Sequence, residues 1–179
     1  MGLDVSAWAR LVRIEGEPDD EMIGEGEVVR VHASSEFPGR TIGLKDGWYR
    51  GETLQFGDFW SFRAGSYSGY NTWRDQLAKL AGYAAHPNAQ ELYGTTHAHA
   101  ATAWEATGGP FWELLHFSDC SGVIGPQVSA KLARDFAALD ERAKAAADAE
   151  PGNGWFYRAY CDWRRAFDWA AQDGCVEFH

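Results

Sequence analysis

The sequence predicts one α+β domain, and three observations lead to this expectation. Polar and apolar residues alternate through Leu3, Val5 and Ala7, as in a half-buried strand. Glycines and aromatics are interleaved without a helical period over residues 33–67, which favours loops and short strands. The remainder carries apolar residues at helical spacing. We therefore expect a single domain over residues 1–179, with a small sheet from the N-terminal half packed against about four helices.

The N-terminal half also contains a second predicted strand and an acidic run. The strand covers residues 28–32, and the run before it, residues 15–27, carries seven acids and no base. Such a run is most often a solvated loop and less often a divalent-cation site. The spacing of these acids does not determine how their carboxylates are arranged in space, so we assign no metal site to the run.

The first predicted helices follow the glycine-rich region. Asn71 is expected to cap a helix with an apolar stripe along one side. The stripe consists of Trp73, Leu77 and Leu80. A second helix is expected within residues 95–107, and a short one is expected over residues 110–116.

Two longer helices and a strand complete the chain. One helix begins after Pro126 and ends at the break in residues 151–154, and the other stops near Gly174. Their stripes consist of Val128, Leu132, Phe136 and Leu139, and of Phe156, Tyr160, Trp163 and Phe167. We expect residues 176–178 to add an edge strand.

Composition and charge argue against some classes of binding partner. The 179 residues, 45% of them hydrophobic, suffice for one buried core. Sixteen basic residues oppose 26 acidic ones, a net charge of −10 that argues against nucleic-acid and anionic-membrane partners. No apolar run approaches the roughly 20 residues that span a bilayer, and we expect no signal peptide in residues 1–14. With three unpaired cysteines, we expect a cytoplasmic protein.

Two segments rich in glycine and serine, residues 63–71 and 117–126, lead into predicted helices. A helix N-terminus offers unpaired amides that attract anions, and glycine lets a ligand approach the backbone. Aromatic side chains nearby offer faces for stacking a base or sugar. The candidate ligand-binding residues are Arg63, Ser66, Tyr67, Ser68, Tyr70, Asn71, Trp73, Arg74, Asp119, Gly122, Gly125 and Lys131.

Ordinary structure explains each segment singly. Serine, asparagine and glycine before a helix are common caps, and Tyr70 and Trp73 suit a core. Because two such segments occur and each lies near a cation, the ligand hypothesis and the structural explanation carry equal weight. The hypothesis requires that both segments converge, with free amides aimed at a shared cavity.

No residue is assigned a catalytic or metal-binding role. Cys120 would need a base that the sequence does not identify, and a small buried thiol is the alternative. Asp119 suits either a helix-entry cap or an acceptor for ligand hydroxyls. His97 and His99 share a face only on a strand, and zinc would need further ligands from scattered positions. Those positions are His32, His86, His116 and Asp119. No cofactor motif is present, so no cofactor is expected.

Four blocks of the sequence resemble a family of small proteins from bacteriophages and prophages. The blocks are residues 1–5, residues 62–71, residues 117–126 and a C-terminal set of Tyr160, Trp163, Arg164, Phe167 and residues 176–179. The similarity spans nearly the whole chain. It implies a phage-encoded accessory protein acting in the host cytoplasm, and it supplies no reaction.

This chain departs from the family pattern in one block. Relatives often have Asp-Asn-Glu-Gly where residues 119–122 are Asp-Cys-Ser-Gly. That difference weighs against a role for Cys120 and leaves Asp119 and the glycines as better candidates. The acidic run and the pair His97 and His99 fall where the family is expected to vary.

Three hypotheses for the function follow. The first is a non-enzymatic protein that holds a small anionic, nucleotide-type ligand and so sequesters a host immune signalling nucleotide. The second is a hydrolase or nucleotide-processing enzyme that uses Asp119 and a histidine. The third is an acidic module, based on residues 15–27, that blocks a basic host protein. Exposed aromatics would favour a homodimer.

Overall fold

The computed structural model describes residues 2–24, 28–51, 59–149 and 152–179. Several residues that the sequence analysis uses lie outside these ranges: residue 1, residues 25–27 of the acidic run, residues 52–58 of the glycine-rich region, and Pro151. The elements in chain order are β1 (Gly2–Trp8), β2 (Leu11–Arg13), α1 (Asp20–Gly24), β3 (Val28–Val31), β4 (Gly47–Gly51), β5 (Phe59–Ser66), α2 (Tyr67–Ala81), α3 (Ala89–Tyr93), α4 (Ala98–Glu105), α5 (Trp112–Leu115), β6 (Gly122–Ile124), α6 (Pro126–Ala149), α7 (Gly154–Ala170) and β7 (Cys175–Phe178). The α+β class predicted from the sequence is confirmed.

The larger sheet contains four antiparallel strands in the order β5-β1-β7-β6. Strand β1 pairs with β5 on one side and with β7 on the other, so residues from both ends of the chain lie at its centre. The expected edge position of the last strand is wrong, because β7 also pairs with β6. Its residues Cys175, Val176 and Phe178 are buried, as in a strand that is covered on both faces.

A second sheet of three antiparallel strands, in the order β2-β4-β3, packs against one end of the first. Its Val29, Val31 and Tyr49 form a buried cluster with Trp8 and Cys175 of the larger sheet. The rest of that face of the larger sheet is not covered by the second sheet and carries polar side chains, as described below.

Helices α2, α6 and α7 contribute the main core on the opposite face. The stripes predicted for them are buried, except that Leu139 is only partly buried. At the centre, Trp163 stacks on Tyr70 and Trp73 at 5.3 and 5.5 Å between ring centroids. Burial of such large aromatic side chains is the main favourable contribution to folding.

Three local expectations differ from the structure. Helix α2 begins at Tyr67 rather than after Asn71, because the Ser66 hydroxyl accepts a hydrogen bond from the Gly69 amide at 3.1 Å and caps the helix. Part of the acidic run forms helix α1, where the Asp19 carboxylate accepts from the Met22 amide. Helix α3 had no counterpart in the sequence analysis.

Among the described residues, no helix combines the length and the apolar character that a membrane crossing requires.

Gly125 occupies a point where two backbones cross. A Cβ atom there would lie 2.9 Å from the carbonyl carbon and oxygen of Thr41, and the Gly125 amide donates to the Arg40 carbonyl at 2.8 Å. Backbone atoms cannot withdraw as a flexible side chain can. The crossing therefore explains this glycine without a ligand.

We expect Gly125→Ala to lower the free energy of unfolding by about 1–3 kcal/mol, as overpacking does. Gly154→Ala is the matched control, since no described atom would lie within 4 Å of its Cβ; it should be neutral or stabilising by about 0.4–1 kcal/mol. Urea denaturation measures both values. Equal stabilities of the two variants would contradict the close approach.

Candidate ligand-binding site

The two predicted segments meet between α2 and the loop that follows α5. The Asn71 side-chain amide on α2 donates to the Asp119 carboxylate at 2.9 Å. Three residues further along α2, the Arg74 guanidinium donates to the Phe117 carbonyl at 2.7 Å. One helical turn therefore binds the loop at two points.

Arg74 holds this junction from a buried position. Its side chain is only 7% exposed, whereas that of Asp119 is 39% exposed. Nε and Nη2 donate to the Asn71 side-chain oxygen, Nη1 donates to Phe117, and Nη2 lies 3.8 Å from the Asp119 carboxylate. The guanidinium also covers the ring of Tyr70, at 4.8 Å from its centroid. Since every nitrogen has a partner, Arg74 orients Asp119 rather than presenting a free cation.

Beside this junction lies a cavity of about 480 Å³, called here the Asp119 cavity. Its polar wall is formed by Asn71, Arg74, Ser118 and Asp119, and its aromatic wall by Phe37, Trp104, Phe117, His97 and His116. Several of these rings are fixed: the Trp104 indole donates to the Leu115 carbonyl, and His116 stacks on Trp112 at 5.4 Å between centroids. An apolar surface with a few fixed polar groups is the usual form of a small-molecule site.

Asp119 lies in a tight turn that Ser118 organises. The Ser118 hydroxyl accepts hydrogen bonds from the amides of Cys120 and Ser121, at 3.2 and 3.1 Å. The Cys120 thiol is exposed and contacts the Ser118 and Ser121 hydroxyls. Within the described parts of the chain, neither His97 nor His116 is hydrogen-bonded to Cys120 or Asp119.

A second cavity, of about 320 Å³, adjoins the first and is called here the Arg40 cavity. The residues common to both cavities are Glu36, Phe37, Phe117, Ser118 and Cys120. The Arg40 cavity adds the cations Arg30 and Arg40. Arg30 is exposed, with its guanidinium 5.6 Å from the centroid of the Trp48 ring.

Arg40 is buried and its hydrogen bonds join different parts of the fold, but its positive charge lies at the wall of this cavity. It donates to the carbonyls of Glu113 and His116 at 3.0 Å each and covers the ring of Trp112 at 4.6 Å. Burial lowers the pKa of the Arg40 guanidinium, and the Glu113 carboxylate opposes this effect.

Only part of the predicted residue set reaches these cavities. Asn71, Arg74 and Asp119 line the first, and Gly122 lines the second. The residues that line neither are Arg63, Ser66, Tyr67, Ser68, Tyr70, Trp73, Gly125 and Lys131.

Those residues have structural partners instead. Tyr70 and Trp73 are core residues, and burial raises the pKa of the Tyr70 hydroxyl. Tyr67 packs against the same core, and Ser66 caps α2 with its hydroxyl 3.1 Å from that of Ser68. Arg63 forms an ion pair with Asp4 on the larger sheet.

The sequence analysis also expected free backbone amides at the start of α6, and this expectation is wrong for Gly125 and Gln127. The Gly125 amide donates to the Arg40 carbonyl, and the Gln127 amide donates to that of Ile42. Lys131 donates to the Gly109 carbonyl and forms ion pairs with Glu113 and Asp135 at 2.5 and 2.8 Å. The segments thus converge through side chains and not through helix N-termini.

The two histidines His97 and His99 have different surroundings. His97 lines the Asp119 cavity, whereas the His99 ring lies 2.7 Å from the Tyr83 carbonyl oxygen. In the part of the chain that the structure describes, no three His, Cys, Asp or Glu residues are grouped so that they could hold a metal ion. His97, Trp104 and Phe37 were not predicted as cavity residues, because no local pattern separates a cavity aromatic from a core aromatic.

No protein-family model, curated protein or solved structure matches the chain. The fold and the site define an α+β protein with a polar and aromatic surface cavity. The function must therefore be inferred from the side chains of that cavity.

We expect Arg74→Met to destabilise the fold, because it leaves the buried Phe117 carbonyl and the Asn71 side chain without their donor. Leaving one buried acceptor without a donor lowers the free energy of unfolding by about 1–3 kcal/mol. Arg134→Met, at an exposed position on α6, should stay within about 0.5 kcal/mol of the unaltered protein. Chemical denaturation compares them, and an unaffected Arg74→Met variant would show that the junction contributes little.

Proposed function

We propose that this protein binds a small nucleotide-type ligand without transforming it. One observation carries the proposal: Asn71 and Arg74 fix the Asp119 carboxylate at the wall of an aromatic cavity, and that cavity adjoins one with arginine side chains. A nucleotide combines the three features that such a site accommodates, namely hydroxyls, a planar ring and a phosphate.

Asp119 is the proposed partner of the sugar hydroxyls. Its Oδ2 accepts from Asn71, while Oδ1 has no hydrogen-bond partner among the described residues. An ionised carboxylate is an acceptor only, so it matches the donor O–H groups of a ribose. Because Asn71 and Arg74 already orient it, little conformational entropy is lost when a ligand binds.

The ring and the phosphate are assigned to separate parts of the site. Phe37 and Trp104 offer flat apolar surfaces on which a base can stack. The phosphate is directed to the Arg40 cavity, where the exposed Arg30 offers donors and Arg40 adds positive charge. These two arginines replace Arg63, Arg74 and Lys131, whose charges are paired with carboxylates.

We favour binding over hydrolysis because, among the described residues, no hydrogen bond joins a histidine of the cavity to Asp119 or Cys120. His97, His116, Asp119 and Cys120 all line it, but a general base must lie within hydrogen-bond reach of the group it activates. The resemblance to phage and prophage proteins would make sequestration of a host immune signalling nucleotide the purpose of such binding.

We expect a saturable rise in melting temperature with at least one member of a panel of AMP, ADP, ADP-ribose and cyclic dinucleotides. Asp119→Ala should weaken that binding about 10- to 100-fold, the value of a hydrogen bond to a charged group. Asp148→Ala, an exposed acid on α6, should have no effect. Calorimetric titration measures the affinities, and equal affinities of the two variants would overturn the assignment of Asp119.

The phosphate assignment has its own test. Arg30→Gln should weaken the nucleotide about tenfold or more, while the affinity for the matching nucleoside stays unchanged, because only the phosphate contacts Arg30. Arg134→Gln is the matched exposed control. Chromatography of the ligand released by heat should show it unchanged, and a converted product would favour the enzyme hypothesis instead.

A further inference from the structure

The face of the larger sheet opposite the aromatic core forms a third concave surface, which adjoins the proposed nucleotide site at Arg30. A cleft of about 690 Å³ lies here, lined by residues of β1, β5 and β7 and by Ile23, Val28, Arg30 and Trp48 from the second sheet and its flanking helix. We call it the sheet-face cleft. It shares no lining residue with the Asp119 cavity, and it shares Arg30 with the Arg40 cavity.

The strand register arranges the floor of this cleft in three rows. Residues directly opposite each other on paired strands point to the same face, and so do residues two apart along one strand. In the first row, Asp4 of β1 lies between Arg63 of β5 and His179, and in the second Ser6 lies between Ser61 and Glu177. In the third, Trp8 lies between Phe59 and Cys175, and here the second sheet covers Trp8 and Cys175, so the floor ends at this row.

The polar rows are held in place by contacts within the floor. The Arg63 guanidinium donates to both Asp4 carboxylate oxygens, at 3.0 and 3.2 Å. The Ser6 hydroxyl lies 2.9 Å from Nε2 of His179, and Ser6 is only 5% exposed. Burial raises the pKa of the Glu177 carboxyl, and His179 opposes this effect. The floor therefore presents fixed donors and acceptors side by side.

Aromatic side chains form the walls beside this floor. The rings of Trp8 and Phe59 contact each other at 4.7 Å between centroids, and Phe59 remains 40% exposed. Trp48 of β4 lines the cleft from the second sheet, with Arg30 over its ring. An aromatic face is electron-rich and receives polarised C–H bonds as well as flat apolar surfaces.

The charges of the cleft cancel. Asp4 and Glu177 oppose Arg30 and Arg63, so a ligand of either sign meets an opposing and a like charge. A neutral ligand with many hydroxyls uses both kinds of group, because each hydroxyl donates to a carboxylate and accepts from a guanidinium. Its ring C–H faces would then lie against the rings of Trp48 and Phe59.

We propose that the sheet-face cleft is a second binding site, whose ligand is a neutral carbohydrate. The polar rows hydrogen-bond the sugar hydroxyls, and Trp48 and Phe59 pack against the faces of the ring. The cleft falls in the size range of small-molecule sites and is large enough for more than one sugar unit. This proposal does not depend on the nucleotide site.

The test is a titration of tryptophan fluorescence with neutral oligosaccharides, namely maltotriose, cellotriose and chitotriose, and with the charged sugars glucosamine and glucuronic acid. We expect saturable binding of at least one neutral sugar at concentrations up to about 10 mM. Absence of saturation with every neutral sugar would overturn the proposal, and so would tighter binding of a charged sugar by about tenfold.

Variants locate the binding. Trp48→Ala should weaken the bound sugar about tenfold or more, whereas Trp155→Ala, at an exposed position on α7, should leave it unchanged. Ser61→Ala removes only an exposed hydroxyl, keeps the fold and should weaken binding about three- to tenfold. Asp119→Ala should have no effect. Equal losses in the two tryptophan variants, an unaffected Ser61→Ala variant, or loss of sugar binding in Asp119→Ala would each contradict this location.

Discussion

The buried guanidinium of Arg74 is the interaction on which the candidate site depends. It joins a helix to a loop more than forty residues away by donating to the Phe117 carbonyl and to the Asn71 side chain. A charge this deeply buried is tolerated only when its donors are satisfied. Those partners also fix where the Asp119 carboxylate lies. The fold therefore places one acceptor at the cavity wall through a structural cation, not through a helix N-terminus.

The two faces of the larger sheet differ in what packs against them. On one face, Val5, Val176 and Phe178 pack on the aromatic core. On the other, the second sheet covers the end near Trp8 and Cys175. Beyond that end, among the described residues, this face carries polar side chains, which the strand register places in rows. The covering sheet thus determines both the buried cluster and the open cleft.

Much of the fold could be predicted because its patterns are local. The stripes of α2, α6 and α7 are periodic, and their residues are buried as expected, apart from the partly buried Leu139. The position of β7 could not be predicted, because the sequence does not state which strands become neighbours. Ser66 and Asn71 are both good caps; Ser66 caps α2, and the Asn71 side chain instead donates to Asp119, a residue distant in sequence. Local propensity leaves such alternatives open, and tertiary contacts settle them.

The site was harder to predict for an electrostatic reason. In a chain with a net charge of −10, an arginine or lysine has many carboxylates within reach, and Arg63 and Lys131 are paired with them. The cations that remain beside the Arg40 cavity are held differently: Arg30 and Arg40 lie over the rings of Trp48 and Trp112.

An aromatic face attracts a cation without neutralising it, so the positive charge stays available to a ligand. The aromatic residues of this sequence thus have a second role besides the core: they contact Arg30 and Arg40, which form no ion pair with a carboxylate among the described residues. In an acidic protein, an arginine paired with an indole is therefore a better candidate for an anion contact than one that only follows a glycine-rich loop. The sequence cannot show this pairing, because Arg40 and Trp112 are brought together by the fold alone.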